Sequence, residues 1–168
     1  RIAPGACWVL DRYVAGRHYP RGALGPAAAS ELGRTLAVLH SLSTTGHGRP
    51  AACSDGSFAG ASTGPTDAIG GRFDRPLPAT PSELRFNPVV VAAPELAARL
   101  RQVVLRLRAE VAMGSAALCH TDLHERQIIC RRRRLAALID FGDATIADPR
   151  WDFGSILYFH GRRVLDAA

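Results

Sequence analysis

Residues 120–127 read His-Thr-Asp-Leu-His-Glu-Arg-Gln, and eighteen positions after Asp122 comes Asp140, inside Ile-Asp-Phe-Gly-Asp. Carboxylate and carboxamide oxygens are the hard donors magnesium takes, and magnesium commonly keeps only one or two protein carboxylates because substrate phosphates complete its shell. Asp122 and Asp140 each fall where a short apolar run gives way to a loop, a place from which a rigid scaffold presents reacting groups. Between Asp122 and Asp152 the chain gathers six of its fifteen acidic residues: Asp122, Glu125, Asp140, Asp143, Asp148 and Asp152. In a basic protein that local reversal suits a metal and a phosphate. His120 and His124 stand four apart, but a zinc pair of that spacing needs a helix, and this loop sequence does not offer one.

The flanking elements must aim these groups. Ala-Ala-Leu-Cys-His-Thr-Asp-Leu is a short buried run entering a loop, and Gln-Ile-Ile-Cys, four arginines and Leu-Ala-Ala-Leu-Ile-Asp-Phe form a hairpin whose second arm delivers Asp140. Arg131 to Arg134 are its solvated tip. Asp148-Pro149 is a helix-start signature, with Asp148 as cap and Asp152 as a buried brace in the helix that follows. Upstream, Gly25-Pro26 opens a helix with Leu32, Leu36 and Leu39 at helical spacing as far as Leu42. Pro94 begins the longest amphipathic pattern, with Leu96, Leu100, Val103, Val104, Leu107 and Val111 on one face; it reads as a core helix ended by Gly114. The run from Cys7 to Gly16 reads as a strand entering a loop.

From Ser43 to about Pro81 the sequence collapses into Gly, Ser, Thr, Pro and Ala without a helical or strand period, so a flexible insert is expected. It contains Gly60-Ala-Ser-Thr-Gly64, a serine-hydrolase pattern. That pattern works only between a strand and a helix, and flexible flanks exclude it.

The pair of motifs resembles the catalytic loop and metal-binding turn of kinase-fold enzymes, His-Arg-Asp-Leu-x-x-x-Asn and Asp-Phe-Gly. The histidine in Asp-Leu-His and the tail Asp-Phe-Gly-Asp-Ala-x-x-x-Asp-Pro-x-x-Asp resemble the aminoglycoside phosphotransferase and choline kinase branch. Val-Leu-Asp-Arg-Tyr-Val-Ala-Gly looks like that family's interlobe hinge, and Leu-Gly-Arg-Thr-Leu-Ala-Val-Leu-His-Ser-Leu like its first large-lobe helix. The resemblance implies an α+β, protein kinase-like fold: a mainly helical C-terminal lobe with a short active-site β-hairpin, its small β-lobe missing. It implies that Asp122 accepts the substrate hydroxyl's proton, that Asp140 and Gln127 hold Mg2+, that the backbone around Asp11 and Tyr13 meets the adenine of ATP, and that His120 and Asp143 brace the loop. Gln127 stands where the family has asparagine, and Thr121 where it commonly has glycine, a position taken as extended.

The expected layout is one partial domain: a hinge region (1–16), the first large-lobe helix region (17–42), the flexible insert (43–88) and a catalytic-loop and metal-binding core (89–168). At 168 residues and 18.0 kDa the chain can hold one proper core. It begins at Arg1 and contains no lysine, all 21 of its basic residues being arginine; the family's phosphate-pairing lysine and phosphate-covering loop therefore have no counterpart in it, and a fragment is expected. The net charge of +6 and pI near 9.9 speak to solubility and encounter rates rather than chemistry. Four scattered cysteines make neither a disulfide framework nor a zinc or redox pair. No run of about 18 apolar residues suggests a membrane span. The expected activity is transfer of the γ-phosphoryl of ATP to a hydroxyl of a small molecule, in the cytoplasm, weak or absent in this fragment. The expected partners are that substrate and a nucleotide, not nucleic acid or membrane. The competing reading is a non-catalytic, degenerate kinase-like module that binds a ligand or partner.

Overall fold

A computed structural model describes residues 13–65, 91–111 and 114–168. Asp11 and most of the strand expected from Cys7 to Gly16 lie outside these residues, as does the second half of the segment 43–88. Helix α1 (Pro26–His40) starts as its sequence predicts, with Gly25 extended at the cap and Pro26 in the first turn, and stops two residues before Leu42. One face, Ala28, Ala29, Leu32 and Leu36, is buried. It meets Leu123, Ile128, Cys130, Ile156 and Val164 in the main core. Burying a leucine of this kind contributes about 1.5–3 kcal/mol, so this cluster is what holds the loop residue Leu123 inside.

Residues 44–62, expected to be part of a flexible insert, form three strands: β1 (Thr44–Thr45), β2 (His47–Ala52) and β3 (Phe58–Ser62). The composition carries no alternation, but the turn chemistry is present. Asp55 Oδ1 accepts from the backbone N and the Oγ of Ser57 at 2.9 and 2.7 Å, and Gly56 supplies the left-handed residue at φ 84°. Asp-Gly between two extended runs is a hairpin signal, and it was the one available. Ser62 ends β3 without the positive φ of a strained nucleophile turn.

After α2 (Ala97–Val111), strand β4 (Ala117–Cys119) leads into the loop of interest. Strands β5 (Ile128–Arg131) and β6 (Arg134–Leu138) are the expected hairpin; β7 (Thr145–Ala147), α3 (Arg150–His160) and α4 (Arg162–Ala167) complete the chain. The five-stranded sheet runs β1-β3-β2-β7-β4, and β5-β6 is a separate ribbon. The described residues are thus mixed α/β, with more strand than the mainly helical layout expected. Helix α2 corrects a second expectation in part. Of the face expected to be buried, Leu96 just before it and Val103 and Leu107 on it are exposed, as is the neighbouring Leu105. Helical periodicity fixes the element type; whether anything covers the apolar face is decided by tertiary packing. No helix of the described residues is long and apolar enough to cross a membrane.

Candidate active site

Two antiparallel pairings frame the site. In β4–β7, Cys119 faces Thr145, so the residues leaving β4 start beside those entering β7. In β5–β6, Ile128 faces Leu138, which sets Gln127 beside Ile139 and Asp140. The loop 120–127 and the turn 139–143 are therefore held together at both ends.

Five contacts clasp these two segments. His120 Nε2–H donates to the Ile139 carbonyl at 2.9 Å, and its ring packs against Phe141 at a tilt of 56° with centroids 4.6 Å apart. Thr121 Oγ1 donates to the Asp143 carbonyl at 2.8 Å, Ile139 N to the Gln127 carbonyl at 3.0 Å, and Gln127 Nε2 to Asp140 Oδ2 at 3.0 Å. His120 Nδ1 accepts from Asp122 N at 3.4 Å, consistent with the tautomer protonated on Nε2. Asp122, Gln127, Asp140, His120 and Asp143 are thus brought into one region. Tyr13 is 86% exposed, while Asp11 falls outside the described residues.

Helix α3 supports this loop from beneath. Asp152, fully buried, accepts from the backbone N of His120 at 3.1 Å and of Thr121 at 2.6 Å, and from His40 Nε2 at 2.8 Å. Ser155 Oγ accepts from Leu123 N at 2.8 Å, and His160 Nε2–H donates to Leu123 O at 2.9 Å. The helix starts one residue later than expected, with Pro149 at the cap, while Asp148 Oδ1 accepts from Arg150 N at 2.9 Å. The Arg150 guanidinium on the same carboxylate holds it below the usual carboxylate range. Ser155, His160 and His40 escaped the sequence reading; only the tertiary fold shows that Ser155 and His160 meet a loop thirty or more residues away and that His40 meets Asp152 beneath it.

Thr121 is not extended. Its φ is 69°, left-handed, a conformation that disfavours β-branched side chains. Its two short hydrogen bonds, to Asp152 and Asp143, hold it there, which explains why a glycine would fit the same place. Asp140 is also left-handed, at φ 60°, a region that aspartate tolerates better than most residues.

Asp122 is partly exposed, and its Oδ2 lies 3.6 Å from His124 Nε2. Asp140 is exposed, with one carboxylate oxygen bonded to Gln127 and the other, Oδ1, without a partner among the described residues. An exposed carboxylate with a free oxygen, next to a buried carboxamide, is a donor set that fits magnesium. A second cluster, His40, Cys119 and Asp152, has its ligand atoms within 4.8 Å of one another. It does not suit a metal: burial pushes the Cys119 thiol up to about 12, and the Asp152 oxygens are engaged by the loop and by His40. A cleft of about 500 Å3 opens beside Thr121, lined by Leu107, Glu110, Asp148, Trp151 and Tyr158 among others.

The model of a family described as the phosphotransferase enzyme family matches residues 4–168. No curated protein matches the chain. Among solved structures, a thermostable mutant of aminoglycoside phosphotransferase APH(4)-Ia in ternary complex with ADP and hygromycin B superposes with a TM-score of 0.57 at 17% identity, over 88% of this chain and 48% of that one. The gentamicin complex of APH(2")-IIa gives a TM-score of 0.57 at 21% identity, over 92% and 53%. The streptomycin–ATP complex of APH(2")-IIa gives 0.51 at 19%, over 92% and 54%. The chain spans about half the length of these structures, and the likeness is one of fold. With a single family model covering nearly every residue, this chain belongs to the phosphotransferase enzyme family.

Proposed function

We propose that this chain forms the catalytic portion of a cytoplasmic small-molecule kinase, transferring the γ-phosphoryl of ATP to a hydroxyl of its substrate. The observation that carries the reading is the fivefold clasp between the Asp122 loop and the Asp140 turn, because phosphoryl transfer depends on positioning and charge stabilisation more than on covalent chemistry. Asp122 accepts the acceptor's hydroxyl proton as that oxygen bonds to the γ-phosphorus. The bond from phosphorus to the bridging oxygen breaks, and ADP leaves with the electron pair. General base assistance of this kind contributes on the order of 10²–10⁴ in rate. Asp140 would hold Mg2+ with Gln127 at its side, and that ion would supply neutralisation of charge on the phosphates. His120 and Asp143 keep the two segments in register, and the backbone near Asp11 and Tyr13 meets the adenine.

The cleft beside Thr121 is the proposed seat of the acceptor. Its two carboxylates, Glu110 and Asp148, both face Arg150, so it is less acidic than its residue count suggests. That favours a neutral or weakly charged hydroxyl compound over a polycation.

Asp122→Asn in the full-length protein tests the reading. Radiolabelled phosphoryl transfer from ATP falls to background while the thermal unfolding midpoint stays put; wild-type turnover in the variant overturns the assignment. A second reading, a non-catalytic kinase-like module, is favoured by the Gln127 amide lying on Asp140. It predicts nucleotide binding without turnover in the wild-type protein.

A further inference from the structure

His124 lies inside the loop yet has no part in the clasp. Its Nδ1 accepts from the backbone N of Arg126 at 3.1 Å, so this nitrogen carries no proton and the neutral ring is protonated on Nε2. Nε2 in turn stands 3.6 Å from Asp122 Oδ2. The ring is fixed from a third side by Phe159 of α3, edge-on with centroids 5.7 Å apart. Two contacts therefore fix the ring: a backbone N–H selects the tautomer and an aromatic edge sets the ring plane, which leaves the protonated Nε2 as the nitrogen 3.6 Å from the carboxylate proposed as the base, within ion-pair range and longer than a hydrogen bond.

We propose that His124 is a positioning residue for Asp122, its Nε2–H closing from 3.6 Å onto Oδ2 when the acceptor binds, so that Oδ1 is the oxygen presented to the acceptor hydroxyl. This rests on the reading of Asp122 as the base. A carboxylate on a half-exposed loop can rotate about its last side-chain bond; anchoring one oxygen removes that freedom and leaves the other aimed. Misplacing a catalytic group by about 1 Å can cost about 10²-fold in rate, so fixing that rotation gives an otherwise unassigned histidine a use. The proton taken from the acceptor goes to Oδ1 and later to solvent. His124 neither gains nor loses one.

Two substitutions separate this role from a merely structural one. His124→Asn keeps an oxygen that caps Arg126 N, as asparagine does at helix starts, but is too short to reach Asp122. His124→Gln places an amide N–H near the position of Nε2 and gives up the cap geometry. Positioning predicts that His124→Asn lowers kcat by about 10–100-fold with KM for ATP unchanged, and that His124→Gln retains most of kcat. A capping role reverses that order, and the reversal overturns the proposal. Asp122→Asn is measured alongside: if it abolishes turnover while His124→Asn is unaffected, only the positioning role fails, whereas full turnover in Asp122→Asn removes the base itself. NMR on the 168-residue chain decides independently of activity. The His124 ring shows the Nε2–H tautomer, and the Asp122 carboxyl carbon shifts in His124→Asn; an Nδ1–H tautomer, or an unmoved Asp122 signal, overturns it.

Discussion

The carboxylate of Asp152 accepts the backbone N–H of Thr121 at 2.6 Å, tying a buried helix residue to the loop residue beside the proposed base. The same carboxylate takes His120 N and His40 Nε2, so the strained φ of Thr121 is held by a group with no solvent exposure. Removing it strands two buried N–H groups and a histidine. Asp152→Ala is expected to cost about 3–5 kcal/mol, the range for breaking a buried charged network by deleting one partner. Urea unfolding measures it, and a loss under about 1 kcal/mol would show that the loop holds its shape without α3.

The hairpin between β5 and β6 turns through Arg132 and Arg133, both left-handed, at φ 52° and 66°. Two positive-φ residues make the turn that Asn-Gly fits best. Both arginines are exposed. The double substitution Arg132→Asn, Arg133→Gly is therefore expected to raise stability by about 1 kcal/mol, read as a higher urea midpoint at unchanged slope.

His160 is buried with Nδ1 unpartnered, and burial is the main reason its pKa is lowered from the ordinary value of 6.5. A histidine that resists protonation in the fold, while the unfolded chain accepts a proton, contributes stability that is full above the unfolded value and declines as pH falls through it. Unfolding free energy should drop below about pH 6.5. In His160→Gln, whose amide can still donate to Leu123 O, that part of the slope disappears. Equal pH slopes in the two proteins would contradict the assignment.

Among the described cysteines, Cys53 is exposed and Cys119 and Cys130 are buried. Burial raises the pKa of both buried thiols, Cys119 to about 12. Since the thiolate is the reacting species, iodoacetamide at pH 8 should label the Cys53 peptide and leave those of Cys119 and Cys130 unmodified, as peptide mass spectrometry would show. Labelling of Cys119 at a comparable rate would mean that β4 opens readily.

What the sequence by itself determined is local chemistry. The Asp-Pro helix start, the proline opening α1, the apolar arms around four arginines and the spacing of Asp122, Gln127 and Asp140 are each written in contiguous residues, because caps, turns and short-range periodicity act over a few positions. Tertiary structure alone decided which oxygen meets which N–H. The β4–β7 register, the reach of Asp152, Ser155 and His160 into the loop, and the left-handed Thr121 all depend on partners far along the chain. The same holds for failures: Asp55-Gly56 made a hairpin of a stretch with no alternation, and α2 kept its helical period while Val103, Leu105 and Leu107 stayed exposed. A pattern of side chains specifies an element's own geometry; burial is a property of two surfaces, and only the folded chain brings the second one.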